Sequence, residues 1–418
     1  MNTIKSVFKS SYEYSKSFLK WMIIAVFVGI IGGVTGSIFH ISIDMATDFR
    51  IEHSYVIYFL PAGGILIAAI YHIFKSQGKI DTNRVLEAVR EDEKVPLIMA
   101  PVIFVSTVIT HLLGGSAGRE GAALQLGGSI GYNVGKVFSL GKRDMRIIVM
   151  SGMSAVFAAL FGTPLTAAFF AIEVVSVGVM HYAAFVPAVF SALVASQIAK
   201  VFGLHPVRFN GVYFPEISIV LVAKVAVLAV LCAILSIIFC FAIDKCEHFG
   251  EKFLKNRYLR TVVGGGIIVL LTMLVQCHDY NGAGMDIIQN AIYGTAKYEA
   301  FALKILFTVI TIAAGFRGGE IVPTFFIGST FGCVMGYLLG LNPGFAAAIG
   351  FVALFCGVVN CPVASVILAL EVFGGEGILL FAAAVGISYM MSGYYGLYKS
   401  QKIVYSKLDE HYVDMSIK

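Results

Sequence analysis

Long runs of apolar residues, separated by short polar segments, dominate the chain from residue 21 onward. The first run, residues 21–43, is long enough for a tilted membrane span at a rise of ~1.5 Å per residue. Apolar runs at residues 56–74 and 101–113 follow, and residues 217–243 and 261–275 are the most uniform stretches of the second half. This pattern predicts helices that cross a bilayer several times.

Between these runs, apolar segments of about ten to fifteen residues alternate with glycine- or proline-containing breaks. The breaks read GGSAGREG, FGTP, GFRGGEIVP and VVNCP. Segments this short do not cross a hydrocarbon core of ~30 Å alone, and broken backbone is tolerated there only where it is buried in protein or lines a cavity. We therefore expect an all-α polytopic membrane protein with broken and tilted helices, many of them half-spans that meet inside the membrane.

Composition supports this class and excludes others. Of the 418 residues, 58% are hydrophobic and 13% are charged, where about 25% charged is usual for soluble domains. The net charge of +5 is spread over loops and forms no basic stripe, so no nucleic-acid partner is expected. The seven cysteines show no CxxC spacing and lie mostly in apolar runs, which predicts small buried side chains. We expect no metal and no cofactor.

The two halves of the chain repeat one order of motifs. GGSAGREGAALQLGGSIG precedes GTPLTAAFFAIEVV in the first half, and GFRGGEIVPTFFIGSTFG precedes NCPVASVILALEVF in the second. In each second block a proline is followed nine residues later by a glutamate, Glu173 or Glu371. The pattern predicts a tandem duplication, with a first repeat at 21–204, a linker at 205–216 and a second repeat at 217–398. Paired interrupted segments in duplicated halves indicate a transporter with its site at the repeat interface.

Lysines flank the predicted membrane region. Lys5, Lys9, Lys16 and Lys20 precede the first span, and the tail after residue 398 carries four more lysines. By the positive-inside rule both ends, residues 1–20 and 399–418, are expected in the cytoplasm. The tail is too short for a regulatory domain, so none is expected.

The glycine-rich breaks have the chemistry of an anion site. A half-helix that begins at GREG or GGEIVP presents unpaired backbone N–H groups and the positive end of its dipole, and glycine lets a ligand approach the backbone. Packing of helices is the alternative use of such glycines, but here two such starts recur at equivalent places. The anion-binding candidates from these breaks are Gly118, Arg119, Gly121, Gly319, Glu320 and Ile321.

Glu120 is the strongest single candidate, because a carboxylate at the start of a buried helix lies where an anion would be held. As a carboxylate it can occupy the anion position, and once protonated it loses that attraction, so anion and proton movement are linked. Helix capping is the alternative role. Arg119 suits the role of a structural or vestibule charge better than that of a direct anion ligand. For Glu320, an ion pair with Arg317 is as good an interpretation as a place in the anion site. The glutamates that follow the two prolines, at 173 and 371, are expected to be interfacial or snorkelling carboxylates.

These motifs resemble a known family. GSAGREGAALQLGGSIG resembles the GREGP segment of CLC chloride channels and proton-coupled antiporters, and GGEIVPTFFIG resembles their GIFAP segment. The resemblance implies a CLC-type inverted repeat, a homodimer with one anion pathway per subunit, a gating glutamate at Glu120, and backbone amides of Glu320 and Ile321 at the anion site. It also implies that Tyr398, in YYGLYKS, coordinates the anion; without the resemblance this tyrosine would be an interfacial anchor.

Departures from the family pattern narrow the resemblance. Where chloride-selective members carry GSGIP, this chain has GKIDT, so the chloride-binding serine is replaced by Lys79 or, in another register, by Asp81. Val174 stands where chloride/proton antiporters carry an internal proton-relay glutamate, and Ile321 replaces the aromatic of GIFAP. These departures, with Glu120 retained, resemble the fluoride/proton antiporter branch. Thr324 adds a hydroxyl near the second break, either as an anion ligand or as a helix cap.

The sequence therefore predicts a transporter of the bacterial inner membrane that exports fluoride in exchange for protons. A chloride/proton antiporter and a passive voltage-gated-type chloride channel of the same fold are the alternatives. A membrane-embedded enzyme is disfavoured, because no His/Glu or Ser/His/Asp set has usable spacing. The expected partners are a small anion, fluoride or chloride, together with protons, the lipid bilayer and a second copy of the chain.

Overall fold

Helices make up most of the protein. The computed structural model describes residues 2–74, 81–91, 93–409 and 411–417, with side chains from residue 11 onward. The helices are α1 Asn2–Glu52, α2 Leu60–Ile73, α3 Thr82–Glu91, α4 Met99–Leu112, α5 Glu120–Val137, α6 Lys142–Phe161, α7 Pro164–Glu173, α8 Phe185–Val201, α9 Ile219–Phe253, α10 Arg257–Val275, α11 Met285–Ile292, α12 Ala300–Ala314, α13 Ile321–Leu339, α14 Pro343–Val359, α15 Pro362–Phe373 and α16 Ile378–Met391.

Helix lengths fall into two groups. Among the described residues, seven helical stretches are long and apolar enough to cross a membrane. Six other apolar helices are 10–17 residues long and cannot cross alone: α4, α7, α12, α14, α15 and α16. The prediction of a polytopic helical membrane protein with broken helices is confirmed.

The helices that begin at the two glycine-rich breaks are longer than predicted. Helix α5 has 18 residues and α13 has 19, so neither is a half-span. No helix breaker interrupts α5, and Pro323 lies in the first turn of α13, where a missing N–H is tolerated. Likewise α1 runs without a break over 51 residues, so the lysine-rich segment before residue 21 continues the first span as helix.

Glycines bring α5 against α6, and α13 against α14, at very short range. A Cβ atom on Gly127 would lie 2.2 Å from the carbonyl oxygen of Gly152. In the second half a Cβ on Gly328 would lie 2.4 Å from the carbonyl oxygen of Gly350. No side chain fits at either crossing, so much of the glycine content is used to pack the backbones of the two helix pairs that carry the breaks.

Helices α7 and α15 cap one another. Glu173, the last residue of α7, accepts hydrogen bonds from the N–H groups of Val363 and Ala364 at 3.1 and 2.8 Å. Glu371, near the end of α15, accepts from the N–H groups of Leu165 and Thr166 at 3.0 and 2.8 Å. Our expectation of interfacial or snorkelling carboxylates is wrong, because each carboxylate is held by the unpaired N–H groups of the opposite helix. Reciprocal contacts of this kind are produced by a two-fold axis.

A small sheet attaches the tail to the first half. Strand β1, Ser176–Val177, pairs in parallel with β2, Lys402–Tyr405, which pairs antiparallel with β3, Tyr412–Ser416. Just before β2, the N–H and hydroxyl of Ser400 both donate to Asn83 of α3 at 3.0 Å. The turn that carries Tyr398 is therefore fixed to α3.

Candidate functional site

The two glycine-rich breaks meet. The N–H of Gly118 donates to the carbonyl of Gly319 at 2.6 Å, and the N–H of Gly319 donates back to Gly118 at 2.7 Å. A Cβ atom on Gly319 would lie 2.4 Å from the backbone nitrogen of Gly121 and 3.1 Å from that of Glu120. The first turns of α5 and α13 thus form one double cradle of backbone groups, defined here as residues 118–121 and 318–322.

The Glu120 side chain occupies this cradle. It is 1% exposed, and its Oε2 accepts a hydrogen bond from the N–H of Arg119 at 2.9 Å. A Cβ on Gly118 would lie 2.7 Å from the same oxygen, so the carboxyl lies over that glycine. Its Oε1 is buried and has no hydrogen-bond partner. The carboxyl therefore lies at a helix start, where backbone N–H groups and the helix dipole favour negative charge, with one oxygen left unpaired.

Arg119 is directed away from the cradle, toward α1. Its Nη1 lies 2.7 Å from Asp44 Oδ1 and its Nη2 lies 3.0 Å from His40 Nε2. The distance from Arg119 Nε to Glu120 Oε1 is 3.9 Å. The guanidinium therefore anchors the first break to α1, as a structural or vestibule charge would.

On the second side of the cradle, Glu320 and Ile321 begin α13. Glu320 Oε2 would lie 3.4 Å from a Cβ on Gly121, so the carboxyls of Glu120 and Glu320 flank the same backbone. Arg317 does not pair with Glu320; its guanidinium lies over the Tyr71 ring, 4.3 Å from the centroid. The reason is that the apolar and aromatic surface of α2 lies beside it.

Thr324 is directed along its own helix. Its hydroxyl donates to the carbonyl of Glu320, one turn earlier, at 2.8 Å. This is the usual back-bond of a helical threonine. Of the two roles considered for Thr324, the helix-internal one is the geometry present here.

Tyr398 is buried and free to bind. It is 3% exposed, and its hydroxyl has no hydrogen-bond partner. It lies within electrostatic range of Glu320 and Glu120. The N–H of Leu397 donates to the carbonyl of Val358 at 3.1 Å, which fixes the turn. A buried phenol without a partner has a hydrogen-bond donor available to any acceptor beside it.

The GKIDT segment contributes one residue, Thr82, that sequence reasoning missed. Lys79 lies outside the described residues. Asp81 caps α3 by accepting from the N–H of Arg84 at 3.0 Å, which explains why it is no ligand in this arrangement. Thr82 lies beside the cradle: its hydroxyl is 3.5 Å from the carbonyl of Gly121 and accepts from Gln125 Nε2 at 3.0 Å. The available signal was a threonine at the end of the quoted motif.

Two further observations bear on the chemistry. Val174 is fully buried at the end of α7, so no ionisable side chain stands at that position. Among the described residues, no group of three His, Cys, Asp or Glu side chains could hold a metal ion. The double cradle therefore combines backbone amides with the carboxyls of Glu120 and Glu320, and the Thr82 hydroxyl lies at its edge.

Comparisons with known proteins identify the family and the fold. A family model described as voltage gated chloride channel matches residues 63–393. A chloride/fluoride channel protein of Pseudomonas syringae pv. tomato is 35% identical over 398 residues, covering 93% of this chain and 87% of that protein. The H(+)/Cl(-) exchange transporter ClcA of Vibrio cholerae is 25% identical, covering 90% of this chain and 86% of that protein. The crystal structure of a CLC-type fluoride/proton antiporter superposes with a TM-score of 0.89 at 30% identity, covering 92% of this chain and 98% of that one.

Proposed function

The chain belongs to the voltage gated chloride channel family, and from that premise we propose that it exchanges a small anion, with fluoride as the preferred ion, for protons across the bacterial inner membrane. The observation that carries the proposal is the Glu120 carboxyl, buried in a cradle of backbone groups with one oxygen free. An anion and this carboxylate compete for one place. Protonation removes the charge that holds the side chain there, so anion entry is linked to proton uptake.

In this mechanism the backbone provides the binding site. The N–H groups at the starts of α5 and α13, including those of Gly121 and Ile321, stabilise the anion without full charges, so the ion can also leave. Tyr398 donates its hydroxyl from the inner side. Gly118, Gly319 and Glu320 shape the cradle, while Arg119 keeps its position through Asp44.

Several features favour fluoride over chloride. A small, strongly hydrated anion needs donors that replace its water shell, and the hydroxyl of Thr82 lies at the cradle edge. Val174 leaves no ionisable side chain at the position after Glu173, so the proton must be carried by a carboxyl of the cradle, and we assign it to Glu120. The relative named as a chloride/fluoride channel and the structure named as a fluoride/proton antiporter support the same choice.

The membrane arrangement is part of the proposal. Two copies of the chain associate, each with its own pathway. The lysine-rich ends of the chain face the cytoplasm under the positive-inside rule. The end of α1 that carries Arg50 then lies at the external side, because α1 crosses the bilayer once.

Replacement of Glu120 by Gln tests the proposal, because glutamine keeps the shape and cannot exchange a proton. In proteoliposomes, fluoride efflux from E120Q should no longer drive proton uptake, whereas E376Q, at an exposed glutamate, should behave as wild type. Proton uptake that persists in E120Q at the wild-type ratio to fluoride efflux would refute the role of Glu120. A wild-type protein that moves anion without proton counterflow would instead be a passive channel.

A further inference from the structure

Two buried basic side chains, Arg50 and Lys304, contact the same stretch of backbone close to the first glycine-rich break. Arg50, at the end of α1, is 8% exposed, and Lys304, in α12, is fully buried. Lys304 Nζ donates to the carbonyls of Gly282 and Tyr280 at 2.7 and 3.2 Å. On the same glycine, a Cβ atom would lie 2.8 Å from Arg50 Nη2. Gly282 is thus contacted by both positive charges.

Neither cation has a negative partner. Within the part of the chain that the structure describes, neither Arg50 nor Lys304 forms an ion pair with an aspartate or a glutamate, whereas Arg119 and Lys297 both do. The Nε of Arg50 is buried and has no hydrogen-bond partner. Elsewhere basic side chains are paired, for example Lys297 with Asp279 at 2.7 Å.

Such an arrangement is unfavourable without a counter-ion. Charges withdrawn from water lose several kcal/mol of hydration each in general, and two like charges repel one another. Carbonyl oxygens offset part of the loss for Lys304, but they carry no net charge and leave Arg50 Nε unpaired. Ionisable groups at membrane depth are retained for function more often than for stability.

The backbone that Arg50 and Lys304 contact is hydrogen-bonded to the segment that precedes the Glu120 cradle. The N–H of Gly282 donates to the carbonyl of Gly115 at 3.1 Å, and Asn281 Nδ2 donates to the carbonyl of Gly114 at 3.0 Å. Arg50 Cδ would lie 3.4 Å from a Cβ on Gly114. An ion bound between Arg50 and Lys304 would therefore contact the backbone only a few residues before Gly118.

We propose that Arg50 and Lys304 form a second binding site for a small monovalent anion, separate from the double cradle and beside the 114–118 segment. The ion supplies the negative charge that the protein does not, and it takes the free donor of Arg50. The site does not depend on proton coupling. Its position on the external side does rest on the proposed orientation.

Bromide is the probe, because its anomalous scattering locates it in crystals of the whole protein. Crystals soaked in sodium bromide should show a peak between Arg50 Nε and Lys304 Nζ. Crystals of K304M should lose this peak and keep any peak at the cradle, and K297M should keep both. A cradle peak with no peak at Arg50 in wild type would overturn the second site and leave the proposed function intact. A peak at Arg50 alone would support the second site and is compatible with a cradle that prefers fluoride to bromide.

Thermal unfolding in detergent distinguishes an anion site from a purely structural role, in which Lys304 only holds the backbone of residues 280–282 in place. In gluconate buffer K304M should unfold at or above the wild-type temperature, because an apolar replacement removes an unneutralised buried charge. In bromide buffer the wild type and K297M should rise in Tm by several degrees while K304M rises less, since an anion that binds the folded state stabilises it. An equal loss of Tm for K304M in both buffers would mean that Lys304 only holds the backbone, and would overturn the proposal.

Discussion

Gly118 and Gly319, which are far apart in sequence, exchange two backbone hydrogen bonds of 2.6 and 2.7 Å. The exchange joins the helix starts that hold Glu120 and Ile321, so moving one break away from the other would cost both hydrogen bonds. The first prediction follows from this bridge.

Substitution of Gly319 by Ala should slow transport strongly. The added Cβ would lie 2.4 Å from the nitrogen of Gly121, so the cradle must widen. Displacements of this size at a binding site lower rates on the order of 10–100-fold. Fluoride efflux from proteoliposomes measures the effect. Gly386, which has open space around its Cα, gives the matched control, and G386A should transport as wild type. Wild-type efflux in G319A would show that the bridge is not needed.

Removal of the Thr82 hydroxyl should weaken fluoride binding. One hydrogen bond contributes about 0.5–1.5 kcal/mol, so T82V should raise the fluoride concentration for half-maximal efflux by roughly 2–10-fold. T82S, which keeps the hydroxyl, should remain near wild type. If T82V and T82S have the same fluoride dependence, the hydroxyl takes no part in fluoride binding.

Loss of either reciprocal cap should destabilise the fold. E371A leaves the N–H groups of Leu165 and Thr166 without their acceptor, at a cost of about 1–3 kcal/mol. E173A should cost a similar amount at the start of α15. Melting temperature in detergent is the measurement, and E376A is the exposed control. An unchanged melting temperature in both variants would refute the capping role.

The C-terminal hairpin should dock more firmly at alkaline pH. Lys407 donates to the Tyr389 carbonyl at 3.0 Å and to the Ser392 hydroxyl at 3.1 Å, and burial lowers its pKa from 10.5 to about 8. Because the docked lysine holds its proton less tightly than a solvated one, docking becomes more favourable as the pH rises from about 8 toward 10.5 and is constant below about 8.

Hydrogen exchange of the β3 amides, corrected for intrinsic rates, reports the docking. Protection should increase over that alkaline window in wild type and in K402M, whose lysine pairs with Asp414 instead. K407M should show no such increase. The same increase in K407M would assign the pH dependence to another group.

The sequence was sufficient for the features that are local or repeated. Apolar runs predicted a multi-span helical protein, and the recurrence of GREG and GGEIVP indicated which two backbone segments meet. The nine-residue spacing from proline to glutamate is visible in the sequence, but the sequence does not show that each glutamate caps the opposite helix. Glu371 finds its partners more than 200 residues earlier, at Leu165 and Thr166, and only the folded arrangement brings them together.

Other features depended on side-chain direction, which a motif does not specify. Thr324 was a plausible ligand by position, yet its hydroxyl bonds within its own helix. Thr82 was passed over, although its hydroxyl reaches the cradle. The sequence predicts half-spans where α5 and α13 lie, but both helices are longer. The glycines inside each helix resemble further breaks in the sequence, although the helix continues through them.

Anion efflux with simultaneous recording of external pH tests the central claim most directly. Wild-type proteoliposomes loaded with fluoride or with chloride should release fluoride faster, and the external solution should lose protons in a fixed ratio to the fluoride released. Chloride that leaves faster than fluoride, with no proton movement, would contradict the account.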